Sequence, residues 1–315
     1  MRTPEDAGRI GAAVWLALSV WCASGVFFPA GPAVAASGPG EGLAMWVWDA
    51  RVAVDRGSRA QLLRFCREQK VRTLYFSAYR LDAPMDRVYR ELNREAHRAG
   101  VAVHALAGDP RWGKPQYHHI PMDWVEAVLR FNRQSRPEER FDGLHSDVEV
   151  YLLTKSWAEH PAEMLGGYLD MNAKVAEAAH REDPTFFFGA DIPFWFDDDP
   201  NYRIAWRGQI KFPAQHVIDT VDGVTVMAYR NFAEGPDGTV NLVLSELRYA
   251  QAAGKPVQVG QETQENMYPP YISFGGTSCG RMEGELQRIQ GVCSAYASFD
   301  GFAIHHYESF RKLCS

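Results

Sequence analysis

The chain has 315 residues, of which 46% are hydrophobic and 23% charged, and its formal net charge is −6. Such proportions suit one large α/β domain or two ordinary ones and exclude a disordered chain. The acidic balance, with no long basic run, argues against nucleic acid as a partner.

The first segment reads as an export signal. Arg2 and Arg9 flank an apolar run from Ile10 to Phe28, and Ala33-Val34-Ala35 offers a small-x-small cleavage site. Residues 1–36 are expected to be a signal peptide and the start of a linker. The mature protein would then be secreted or periplasmic, with no membrane contact after cleavage. An uncleaved membrane anchor is the competing reading, because the run is nearly long enough to span. Removing Cys22 with the leader leaves Cys66, Cys279, Cys293 and Cys314. An even number fits disulfides formed in an oxidising compartment; four buried free thiols are the alternative.

After a Gly/Pro/Ser linker at 37–42, short apolar strands alternate with amphipathic helices. Strands are predicted at 44–49, 71–77, 101–106, 141–149, 185–191, 222–229, 256–262 and 299–307. Helical periodicity falls between them at 59–69, 85–99, 121–135, 161–181, 213–221, 239–253, 281–297 and 309–313. Eight strand–helix units predict a single-domain α/β fold, a (β/α)8 TIM barrel over residues 43–315. An open dinucleotide-binding sheet is disfavoured, since no G-x-G-x-x-G follows any strand. Three cysteine pairings are possible. Barrel closure makes the first and last helices neighbours, which favours Cys66–Cys314 and leaves Cys279–Cys293 within the seventh unit.

Barrel enzymes carry their chemistry at the C-terminal ends of strands. Those ends supply Trp46, Trp48 and Asp49, then Tyr79, then Trp112 just past the third strand. The fourth gives His145, Asp147, Glu149 and Tyr151 from FDGLHSDVEVY, at alternate positions that share one face of a strand. Asp191 and Trp195 follow on the fifth, Tyr229 and Arg230 on the sixth, Glu262 on the seventh and His305 on the eighth. Carboxylates among Trp and Tyr suit a carbohydrate substrate: rings stack on sugar C–H surfaces, and carboxylates supply acid, base or nucleophile. Asp197-Asp198-Asp199 reads as a solvated loop run.

Asp142-Gly143-Leu144-His145-Ser146-Asp147-Val148-Glu149 resembles the D-G-x-D-x-D-x-E strand of family 18 glycosidases, the chitinases and endo-N-acetylglucosaminidases. Val226-Met227-Ala228-Tyr229 is similar to that family's M-x-Y segment on the sixth strand. The resemblance implies a proton donor at Glu149. It further implies that Asp147 orients a substrate N-acetyl group acting as internal nucleophile, and that Tyr229 steadies the intermediate. The sequence departs from the family where His145 stands for the first aspartate, Arg230 for the aspartate after the tyrosine, and Val148 for an aromatic. A second retaining mechanism is also open, with Glu149 as acid/base and Glu262 as nucleophile.

The expected function is therefore an exported glycoside hydrolase acting on a poly- or oligosaccharide. Its catalytic residues would be Glu149, Asp147, Tyr229 and Glu262. Trp46, Trp48, Asp49, Tyr79, Trp112, His145, Asp191, Trp195, Arg230 and His305 would bind substrate. No metal or other cofactor is expected, because no clean metal-ligand spacing occurs. Two competing classes are a metal-dependent hydrolase using His104, His145, Asp147, Asp191 and His305, and a non-catalytic carbohydrate-binding barrel. The oligomeric state is left open.

Overall fold

The structure, a computed structural model, describes residues 42–198 and 202–315. The expected leader and its cleavage site lie outside them, as does Asp199. Ten strands are present among the described residues: β1 (Leu43–Val47), β2 (Val71–Ser77), β3 (Ala102–Ala107), β4 (Gly143–Ser146), β5 (Phe187–Pro193), β6 (Ile204–Trp206), β7 (Gln209–Lys211), β8 (Gly223–Met227), β9 (Val257–Glu262) and β10 (Phe299–His305). Eight of them close a parallel barrel in the order β1-β2-β3-β4-β5-β8-β9-β10, and β10 returns to β1 through Leu43 opposite Phe302. The (β/α)8 fold expected from the spacing is thus the fold observed. A short hairpin, β6–β7, is an addition the periodicity did not announce. Its turn, Arg207-Gly208, takes positive φ at both residues, as a two-residue hairpin requires.

Period-two alternation sorts the barrel residues into two layers. In β1, Met45 and Val47 pack outward with the helices, whereas Ala44, Trp46 and Trp48 join Tyr75, Leu106 and Ala303 inside the barrel. Each buried Leu or Phe of the outer layer contributes roughly 1.5–3 kcal/mol relative to exposure. The helices start and stop where their end residues dictate. Asp55 caps α1 (Arg56–Glu68) by accepting from the Ser58 amide, and Asp82 does the same for α2 (Ala83–Arg98) through Met85. The remaining helices are α3 (His119–Arg133), α4 (Thr154–Glu159), α5 (Pro161–Glu182), α6 (Pro213–Thr220), α7 (Thr239–Ala253), α8 (Cys279–Cys293) and α9 (Tyr307–Cys314). Helix α7 stops at Gly254, whose left-handed φ of 68° is open to glycine at no steric cost. Among the described residues, no helix is long and apolar enough to cross a membrane.

Both expected cysteine pairings are corrected. One disulfide joins Cys279 to Cys314, while Cys66 and Cys293 are buried free thiols. Cys279 and Cys293 are the two ends of α8, so at about 1.5 Å rise per residue they stand some ~20 Å apart, far beyond bridging reach. Cys66 lies beside Tyr307 at the start of α9, and Cys314 ends that helix nearly two turns away. Burial pushes the Cys66 and Cys293 thiols up to about 12, which leaves them inert. Non-reducing peptide mapping is expected to find a Cys279–Cys314 link, with Cys66 and Cys293 alkylated only after unfolding; a linked Cys66 peptide would contradict this pairing.

Candidate active site

The fourth strand is shorter than its sequence pattern. β4 ends at Ser146, so only His145 of the polar row sits on the strand, and Asp147 and Glu149 lie on the segment that leaves it. One more ladder bond, Asp147 N–H to the Ala107 carbonyl at 3.1 Å, carries the chain past the strand end. Gly108 makes this possible: a Cβ there would fall 1.6 Å from the Asp147 carbonyl oxygen. The two loops can meet only over a glycine.

Two carboxyl–imidazole couples floor the crown. His145 is fully buried, and desolvation pulls its imidazole down to about 3, so the ring is neutral. Its Nε2–H donates to Asp191 Oδ1 at 2.7 Å, and Trp46 Nε1–H donates to Asp191 Oδ2 at 3.0 Å. Tyr75 stacks on the other side of the imidazole with ring centroids 3.6 Å apart. Register puts Gly189 opposite His145, and a Cβ at Gly189 would come within 2.8 Å of Nδ1. The second couple runs through His305. Trp48 Nε1–H donates to His305 Nε2 at 3.0 Å, and because an indole only donates, Nε2 carries no proton. Nδ1–H therefore donates to Glu262 Oε2 at 2.8 Å. The other Glu262 oxygen accepts the Thr263 and Gln264 amides at 2.8 and 2.7 Å.

Above this floor lie the groups still free to react. Asp147 is held well above the usual carboxylate range, first by burial and then by the charges of Asp191 and Glu149. Its Oδ1 is sealed from solvent with no partner. Burial, with Glu149 adding to it, also raises Asp191. Tyr151 donates its hydroxyl hydrogen to Glu149 Oε2, so the acid at 149 is aimed by a phenol. Tyr229 is half-buried and pushed far above a normal phenol by burial and by Glu262, Asp191, Asp147 and Glu149. It therefore remains a neutral donor amid four carboxyls.

The structure brings Asp147, Glu149, Asp191, Tyr229, Glu262, His145, His305, Trp46 and Trp48 to one end of the barrel. Other expected site residues sit differently. Asp49 faces Arg51 in an exposed ion pair, and Trp112 is buried beneath Tyr79, leaving the half-exposed Tyr79 ring as the open face of that stack. Arg230 is tied to Asp237 at 2.6 Å and lies over the Phe194 and Tyr271 rings, which makes it a loop fastener. Trp195 joins a ring cluster with Tyr151, Trp157 and Tyr202. Tyr75 was absent from the expected site residues. Tyr151 was placed by its alternation on the row of Asp147 and Glu149 but was given no catalytic or binding role. No three His, Cys, Asp or Glu side chains among the described residues converge as a metal site. A groove of about 670 Å³ on the flank, between α5, the hairpin and α6, lies away from these groups.

Raised carboxyls carry a cost that can be measured. A folded acid above its unfolded value near ~4 holds its proton longer in the native state, so stability is lost as pH rises from there. Asp147→Asn removes one such acid. It is expected to melt about 2–4 °C above wild type near pH 8, and level with it near pH 4. Equal melting temperatures at both pH values would show that Asp147 is not a strained acid.

No family model and no curated protein matches the chain. Solved structures do. The exo-β-1,4-mannosidase Op5Man5 from Opitutaceae bacterium strain TAV5 is 13% identical with a TM-score of 0.57, over 84% of this chain and 51% of that one. The spore cortex-lytic enzyme SleL of Bacillus cereus is 10% identical with a TM-score of 0.51, over 88% and 74%. A GH18 chitinase from Pseudoalteromonas aurantia is 10% identical with a TM-score of 0.48, over 85% and 94%. At such identities the shared property is the fold, a (β/α)8 barrel.

Proposed function

We propose that the protein hydrolyses a glycosidic bond next to a 2-acetamido sugar, with Glu149 as general acid/base and the acetamido oxygen as internal nucleophile. One observation carries this reading: Asp147 Oδ1 is buried beside Glu149 without a hydrogen-bond partner. An unsatisfied buried acceptor costs about 1–3 kcal/mol, and a substrate amide N–H is the donor that would relieve it. The resemblance of the 142–149 segment to family 18 glycosidases supports the same assignment.

The steps follow from the placement of the groups. Glu149 gives its proton to the leaving glycosidic oxygen as the acetamido carbonyl oxygen bonds to C1. Asp147 accepts from the acetamido N–H and favours the charge that develops on that group. Tyr229, kept neutral by its surroundings, donates to the acetamido oxygen. Glu149, now a carboxylate, takes a proton from water as it attacks C1, and the acetamido ring reopens. Glu262 is poorly placed as the alternative nucleophile, because both its oxygens already accept hydrogen bonds and it is 3% exposed. Its work is to fix the His305 tautomer. Export of the protein, with the leader at residues 1–36, belongs to this proposal and is supported by the Cys279–Cys314 disulfide.

Glu149→Gln is expected to lower kcat on N-acetylated oligosaccharides by about 10²–10⁴-fold while binding survives. Unchanged turnover would remove Glu149 from the mechanism. Wild type is expected to cleave N-acetylated substrates and spare their de-N-acetylated counterparts; equal cleavage of both would favour a carboxylate nucleophile instead.

A further inference from the structure

Within the acidic run expected to be solvated, Asp198 is exposed but Asp197 is half-buried. Asp197 ends the single turn Phe194–Asp197 after β5, and its carboxyl meets that of Glu246 on α7. Glu246 is 1% exposed, and neither carboxyl oxygen has a donor. Two ionised carboxylates cannot share such a place, since both only accept. No Lys, Arg or His among the described residues pairs with either. Lys211 is spent on Asp219 and Tyr249, Arg230 on Asp237, and Arg288 on Glu285. His216 of α6 bonds the Ile204 carbonyl. The remaining groups facing the pair are Ser245 beside Asp197 and the exposed Asp198, whose charge adds to the repulsion.

We infer that Asp197 and Glu246 hold one proton between them, and that this carboxyl–carboxylate pair is a pH-sensitive latch fastening the Phe194–Asp197 turn to α7. Desolvation raises both groups, Glu246 the more strongly, in keeping with a retained proton. The same turn carries Trp195, whose ring lies 5.0 Å from that of Tyr151, and Tyr151 aims Glu149. The latch therefore ties protonation on the outer side of the barrel to the aromatic wall of the crown. Loss of the shared proton sets two charges against each other in a dry site and frees the turn. The device does not depend on which bond the crown cleaves.

The sign of the effect is fixed. A native state that keeps a proton which the unfolded chain has released loses stability as pH rises above the ordinary carboxyl range. Glu246→Gln supplies a permanent N–H donor to Asp197. Its melting temperature is expected to exceed wild type by about 3 °C near pH 8 and to match it near pH 4. Hydrogen exchange in the peptide 187–197 should quicken with pH in wild type and stay flat in the variant. Asp197→Asn, the reciprocal amide, is expected to behave alike. An unchanged pH dependence in both variants would overturn the latch. A rise in the wild-type melting temperature with added calcium, reversed by chelator and absent in Glu246→Gln, would equally overturn it, because a cation would then be the neutralising partner.

Discussion

The crown is organised by acids that are buried without a cation. Asp191 and Glu149 help to raise Asp147, Glu149 helps to raise Asp191, and among the described residues no lysine or arginine pairs with any of the three. A structural ion-pair network would supply one, as Arg59 does for Glu91 and Glu95 elsewhere in the same chain. Here the compensation comes from neutral donors: Trp46 and His145 for Asp191, and Tyr151 for Glu149. Neutral donors hold a carboxyl in position without adding a charge of their own. The barrel wall below, with Tyr75 stacked against His145 and Gly189 making room for the ring, exists to keep those donors aimed.

His145 occupies the place where the resembling family has an acid. Here His145 meets the carboxyl of Asp191 on the neighbouring β5, and the imidazole pins it there. Burial keeps His145 neutral, so it donates one hydrogen bond and contributes no charge. Glu262 and His305 form a separate couple, held by Trp48 on the imidazole and two backbone amides on the carboxyl.

Most of the fold was legible because strands buried between a core and a ring of helices must be apolar runs, and runs of that kind recur eight times. The end of α7 came through where Gly254 marks it, whereas Asp55 starts α1 at Arg56, ahead of the expected 59. The end of β4 did not, because the alternation His145-Asp147-Glu149-Tyr151 continues past the last strand residue; backbone geometry changes at Asp147 while the side-chain pattern persists. Disulfide partners were illegible for a different reason. Neighbouring helices set which elements approach, but rotation and height along each helix set which thiols meet. Site membership was partly readable: the reactive carboxyls lie at strand ends, whereas Trp112, Arg230 and Asp49 look identical in sequence and turn out to pack or pair. Asp198 is exposed as expected, but Asp197 was misread because solvation was inferred from residue type, and its partner Glu246 lies 49 residues away on another helix.

The central claim is that Asp147 meets an amide N–H of the substrate while Glu149 faces the bond to be cut. A crystal structure of Glu149→Gln with a bound N-acetylated oligosaccharide tests it most directly. The account predicts an acetamido nitrogen within hydrogen-bond distance of Asp147, its oxygen near the Tyr229 hydroxyl and under C1. A sugar seated with C1 over Glu262, and its acetamido group turned away from Asp147, would contradict it.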